Sequence, residues 1–295
     1  MPVPPDLSRE IDVAAGRVDV LHRLALAVKP RDAVTARPVT SGIRVGFETS
    51  RTLAARPRRR GDPTPLDPVL NFPAVPLDTG AAFVLRHGYR DRTRVTLRVD
   101  DPERRWVPRR FVIPLWTAAE VEATDAVPPP ASGPIPAESR LLLPWLLPGP
   151  AYPVTPGATG VQLRIIRDGV PVRWARVEVF GTGGHRIAWA HGDEHGQALL
   201  ILAGTGAIPP PAPATFDVAI RVHAPDPGAV DPRDPLADLA VEPVTRSSAP
   251  PTAQDLDNDL LRGITPPSGY RRSPDVVVTL TVGKVIAFAH DITSP

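Results

Sequence analysis

No cysteine occurs anywhere in the 295 residues, which removes disulfide staples and thiolate metal sites together and leaves packing as the source of stability. Lysine is almost missing as well: Lys29 and Lys284 are the only two, so nearly all of the 34 basic residues are arginines, a composition typical of GC-rich coding sequence. Neither sign of charge dominates, since 34 basic residues face 32 acidic ones and the two are interspersed, so no affinity for nucleic acid is expected. The densest basic run is Arg56, Arg58, Arg59 and Arg60, set among Pro and Gly. It reads as a solvated loop, with Arg58, Arg59 and Arg60 as candidates for a partner contact. No stretch approaches 18 uninterrupted apolar residues, so a spanning helix, and with it a membrane partner, is not expected. The opening MPVPPDLSREIDVAAG carries early acids and no apolar signal core, which gives the expectation of a cytoplasmic product, or one released as part of a particle.

What the chain has in excess is proline: 40 Pro and 22 Gly make up about a fifth of it. Proline removes a backbone donor and breaks helix interiors, so long helices have little room and short strands joined by stiff loops remain. Period-2 alternation of apolar and polar residues recurs in Arg94–Val99, Gly160–Ile165, Arg176–Phe180, Phe216–Val222 and Val276–Val282, each bounded by Gly, Pro or Asp. The expected fold is all-β, with two Ig/transthyretin-like β-sandwich domains, Pro-rich loops and few short helices. Helical signal is limited to Thr117–Thr124, Ala253–Arg262 with Thr252 as a possible N-cap before Asp255, and Ser8–Leu26. In the last of these a strand over Arg23–Val28 fits equally well.

Two proline-rich stretches, Val127–Pro136 and Leu147–Gly157, separate the halves. They divide the chain into an N-terminal arm (1–20), a first sandwich (21–126), a linker (127–157) and a second sandwich (158–295). The most apolar run of the sequence, Arg140–Leu147, lies between them. Its Leu142, Leu143, Trp145, Leu146 and Leu147 are candidates for an interface, the alternative being that they close the first core. A segment from 224 to 270 shows few strand signals. Loops of that length inside a compact domain are uncommon and tend to be functional, so this insertion is the place to look for a partner contact.

The halves share a local pattern. Lys29–Val39 runs into Gly42-Ile43-Arg44-Val45, and Arg167-Asp168-Gly169-Val170-Pro171-Val172 runs into Ala175-Arg176-Val177. The second copy continues to Asp193-Glu194-His195-Gly196, a polar turn between two apolar strands. In the order Gly169-Val170-Pro171-Val172, Ala175-Arg176-Val177, Asp193-Glu194-His195-Gly196 the chain resembles the carboxypeptidase regulatory-like, transthyretin-type β-sandwich, with one extra residue before the proline. The resemblance covers about Val161 to Val222. In the first half it covers Leu24 to Val45, and Asp78-Thr79-Gly80 stands where the Asp-x-x-Gly turn is usual. The joining segment Pro148–Val161 is also similar to the lead-in of accessory proteins of contractile, phage-tail-like injection systems. These resemblances imply a rigid spacer or docking module, at the cap, terminator or baseplate of such a particle.

Residues able to do chemistry are few. His185, His191 and His195 lie with Asp193 and Glu194 within eleven residues, the one stretch with metal-ligand types. Its spacing is not His-Glu-x-x-His, and Gly192 and Gly196 oppose the helix that ligands four apart require, so polar turn residues are the favoured reading and no metal or other cofactor is expected. Gly181–Gly184 and Gly204–Gly206 lack the Lys-Ser/Thr of a phosphate loop, and no Gly-x-Ser-x-Gly elbow occurs. Asp100, Asp101 and Glu103 beside Trp106 could pair for glycoside hydrolysis but fit an ordinary turn, and Asp255-Leu-Asp257-Asn-Asp259 lacks the glycine of a calcium loop. The expectation is therefore a non-enzymatic structural or assembly protein. Its partners would be protein subunits in a homo- or hetero-oligomer, the competing reading being a carbohydrate- or surface-binding module.

Overall fold

A computed structural model describes residues 9–12, 19–22, 24–48, 82–86, 93–124, 135, 137–202, 214–228, 234, 236–246, 251–287 and 291–294. They are mostly strand, and the all-β expectation holds. In the first half a short hairpin joins β1 (Arg9–Asp12) to β2 (Asp19–His22), followed by β3 (Leu24–Val28), β4 (Arg31–Asp32), β5 (Arg44–Phe47) and β6 (Phe83–Arg86). Next come β7 (Arg94–Asp100), β8 (Arg109–Pro114), the helix α1 (Ala118–Thr124), a 3₁₀ turn over Ala137–Arg140, β9 (Leu141–Leu142) and β10 (Trp145–Leu146). The helical alternative over Ser8–Leu26 is not adopted. Its described residues pair as strands, because Leu24 to Val28 can bury apolar side chains between β6 and β9 only in extended form.

Two sheets, β6-β3-β9 and a four-stranded sheet containing β8-β7-β5, face each other across one core. Leu26 and Val28 of β3 meet Val95, Leu97 and Val99 of β7 and Phe111 and Ile113 of β8, all almost fully buried. Leu142 and Leu146 belong to the same cluster, and Leu143 and Leu147 are buried too, with Trp145 only half-buried. This corrects the interface expectation for that run. Its short strands pair in parallel with β3 and β4, which draws the leucines inward as part of the core floor.

The second half begins with β11 (Thr159–Arg167), β12 (Val170–Pro171), β13 (Arg176–Phe180), β14 (Arg186–His191), β15 (Gln197–Leu202) and β16 (Thr215–Ala224). It ends with β18 (Arg271–Arg272), β19 (Val276–Thr281), β20 (Val285–Ala287) and β21 (Ile292–Thr293). One sheet is built on β12-β11-β15, with β20 and β21 parallel to β11; the other runs β14-β13-β16 with β18 and β19. Val161, Leu163 and Ile165 of the first oppose Val177, Val179, Val218, Ile220 and Val222 of the second in a separate core. The turn Asp168-Gly169 joins β11 to β12 with positive φ at both residues, the conformation of a two-residue hairpin whose twist suits its strands. In the Asp193–Gly196 turn the Asp193 carboxylate accepts the backbone N–H of His195 and of Gln197, each at 2.8 Å. Gly196 sits at φ 71°, with its missing Cβ 2.6 Å from the Ile165 carbonyl oxygen, so a side chain there would strike the neighbouring strand.

Between β16 and β18 the chain leaves the second sandwich. Here it forms β17 (Val241–Pro243), α2 (Ala253–Leu256) and α3 (Asp259–Arg262). β17 pairs in parallel with β8, Glu242 opposite Phe111, and so completes the four-stranded sheet of the first sandwich. Thr252 and Asp255 form a reciprocal capping box on α2, Asn258 caps α3, and Leu261 of α3 enters the first core. Among the described residues the insertion thus finds its partner in its own chain, as a strap from one sandwich across the other. No helix among the described residues is long and apolar enough to cross a membrane.

Because Leu146 is 1% exposed inside this floor, Leu146→Ala is expected to lower unfolding stability by about 2–5 kcal/mol in urea titration. A loss below about 1 kcal/mol would mean that the run does not carry the core.

Candidate functional site

Alternation along β8 puts Arg109 on the same inward face as Phe111 and Ile113, and Arg109 is wholly buried. A guanidinium in that position has five N–H donors to satisfy without water. All five find acceptors. Nε donates to Glu242 Oε1 at 3.0 Å, and Nη1 donates to the Trp145 and Leu261 carbonyls at 2.8 and 2.6 Å. Nη2 donates to Glu242 Oε2 and, at 2.6 Å, to the Leu260 carbonyl. One side chain thereby ties β8, β10, β17 and α3 together.

The second sandwich reaches the same carboxylate. On β13, Val177 and Val179 point into their own core, so Arg176 and Glu178 lie on the opposite face, and both are buried. Arg176 Nη2 donates to Glu242 Oε1 at 3.2 Å, which makes Glu242 the shared acid of a buried Arg109–Glu242–Arg176 triad drawn from three segments. Burial pushes the Arg176 guanidinium down from its ordinary range, against the pull of Glu242. Further links run along the seam. Arg98 of β7 makes a two-pronged bond to Asp234, both contacts 2.7 Å, and Arg104 donates to Asp193 at 2.6 Å. Arg173 bonds Asp238 at 2.6 and 3.0 Å, while Trp174, fully buried, packs with Val107 and Leu239.

His191 stands opposite Arg176 in the β13–β14 register and is fully buried. Its Nε2 lies 2.7 Å from the Gly263 carbonyl, an acceptor only, so Nε2 carries the proton and donates. Gly263 ends α3 at φ 76°, and a Cβ there would lie 2.8 Å from the imidazole and 3.0 Å from Leu147. Glycine is therefore required both by the left-handed cap and by the imidazole beneath it. Burial, with Arg176 and Arg109 nearby, holds the His191 pKa well below its usual value.

His185, His191, Asp193 and His195, weighed in the sequence as a less favoured metal-ligand grouping, are dispersed. His185 and His195 are exposed, His191 points into the seam, and Asp193 is engaged by the turn and by Arg104. No grouping of three metal-ligand side chains occurs among the described residues. Arg58, Arg59 and Arg60 lie outside the described residues. Asp101 accepts the N–H of Glu103 and Arg105 as an ordinary turn, and Asp100 pairs with Arg44. Tryptophans are used internally: the Trp106 indole reaches Asp32 at 3.4 Å, and Trp189 donates to the Arg262 carbonyl at 3.0 Å.

No family model matches the chain, and no curated protein matches it. Among solved structures it is similar to the Bacillus anthracis TIE protein, at 8% identity and a TM-score of 0.25 over 92% of this chain, and it spans about a third (34%) of that protein's length. It is also similar to the shaft pilin of Lactobacillus rhamnosus GG, at 8% identity and a TM-score of 0.21, covering 90% of this chain and 96% of the pilin. Likeness at that level carries no argument about role, which rests on the seam itself.

Two outcomes follow from the seam. Glu242→Gln leaves two buried guanidinium groups facing a neutral amide and is expected to cost about 3–5 kcal/mol in chemical denaturation. A cost near zero would remove the triad from the account. His191 gives a pH signature: below about 6.5 the unfolded chain takes up a proton that the folded chain refuses, so stability is level above that pH and declines beneath it. His191→Gln is expected to flatten the decline between pH 6.5 and 5, measured by melting temperature. An unchanged slope would place the titrating group elsewhere.

Proposed function

We propose that the chain is a non-catalytic structural module, a two-sandwich spacer of the transthyretin type that docks neighbouring subunits in a larger protein assembly. The observation that supports this reading is the strap. A segment of the second sandwich supplies a strand to the sheet of the first, and Glu242 on that strand binds an arginine from each. The seam between them is filled with paired charge and buried side chains, so the two units are held as one stiff body. Stiffness over two domains is what a spacer or terminator has to provide; a hydrolytic or ligand-gated protein would instead keep an openable cleft at this position.

The hairpin turn at Gly169 and the Asp193–Gly196 turn, at residues that carry the resemblance, support a transthyretin-type reading of the second sandwich. The finer role rests on the similarity of the joining segment Pro148–Val161: an accessory component at the cap, terminator or baseplate of a contractile, phage-tail-like injection particle, with protein subunits as partners. The carbohydrate-binding alternative gains nothing from Trp106 and Trp189, whose indole N–H groups are turned to internal acceptors.

Tagged at one end and purified from its native cell, the chain is expected to sediment with a large particle containing tube and sheath subunits, and to be visible by negative-stain imaging at one end of it. Recovery as a free monomer whose melting temperature rises with a glycan would contradict the assembly reading.

A further inference from the structure

Where the strap crosses the first sandwich it leaves a cavity of about 250 Å³ between the 3₁₀ turn, β9, the chain leaving β17, and α2 and α3. Leu141, Leu142, Val244, Leu256 and Leu261 form its apolar wall, and Arg246 stands in its lining. The guanidinium of Arg246 lies over the Trp116 ring, 5.5 Å from its centre. Both terminal nitrogens are shut off from solvent, and neither has a hydrogen-bond partner among the described residues. Arg98 and Arg109 have acids to bind, Asp234 and Glu242; among the described residues Arg246 has an aromatic face only. Burial pushes it down to about 10, which leaves it charged at neutral pH.

A desolvated cation with no acid bound to it among the described residues, beside a hollow that is about half apolar, is complementary to an anion with an apolar body. From this geometry we infer that the cavity is a binding site for a monocarboxylate with a short apolar body, its carboxylate taken by Arg246 after a turn of the guanidinium into the hollow. Size and charge narrow the class. Sites for drug-sized ligands run to about 300–1,000 Å³, so this one takes a small organic acid or a single chain end. Glu138 and Asp255 also line it, and Asp255 is held ionised by the capping box, which disfavours a dianionic phosphate.

The test uses the intact chain, labelled with ¹⁵N, and follows the indole N–H signal of Trp116, assigned with Trp116→Phe. N-acetyl-leucine represents a chain end and hexanoate a free acid; N-acetyl-leucinamide and phosphate are the controls. Saturable displacement by one or both acids and none by the controls is expected, the stronger acid identifying the source. Arg246→Met keeps the bulk and removes the unpaired charge, so it is expected to melt no lower than the parent while binding at least about tenfold more weakly, with Arg246→Lys intermediate. Equal response to acid and amide, a larger response to phosphate, or no response to either acid overturns the inference. Should Arg246→Met fail to fold, the acid-against-amide comparison on the parent chain decides alone.

Discussion

A guanidinium placed on the inward phase of a β-strand has to be paired, and the architecture of this protein follows from where the pairing comes from. Arg109 shares its face with Phe111 and Ile113, and among the described residues no strand of the first half supplies an acid to it. The acid is Glu242, more than 130 residues further along, carried on a three-residue strand that belongs in sequence to the second half. Buried ion pairs add little net stability compared with well-packed apolar residues, but breaking one is costly. A triad that takes one residue from each of β8, β13 and β17 therefore acts less as glue than as a register pin. Any displacement of the strap or of either sandwich leaves a charge buried and unpaired.

The rest of the seam repeats that logic with weaker elements. Arg98 takes Asp234 and Arg173 takes Asp238 in forked contacts that lysine could not make, and Arg104 takes Asp193 through a single bond. Gly263 lets α3 end directly over His191, and the imidazole, neutral and donating to that carbonyl, seals the end of the helix against the second sandwich.

Much of the fold could be read from alternation and breakers. Arg94–Val99, Gly160–Ile165 and Arg176–Phe180 lie on strands with nearly those limits, and the Thr252 cap before Asp255 forms as its residues suggest. The strap could not. Val241-Glu242-Pro243 is too short to show a period and includes a proline, and it is a strand only because β8 offers an edge in three dimensions. For the same reason the leucines of the Arg140–Leu147 run suit a surface as well as a floor until β3 and β4 are seen to pair with them. One signal was present in the sequence: in Arg109-Arg110-Phe111-Val112-Ile113 the alternation itself puts an arginine inward, and an inward arginine calls for a distant acid.

The absence of cysteine opens a direct test of whether Glu242 fixes the two sandwiches relative to each other. Single cysteines can be placed at exposed Thr35 in the first sandwich and exposed Val277 in the second, spin-labelled, and the separation measured by pulsed dipolar spectroscopy. One narrow distance distribution in the parent chain, broadened by Glu242→Gln, is the expected result. A broad distribution in the parent, or one that Glu242→Gln leaves unchanged, would contradict the account.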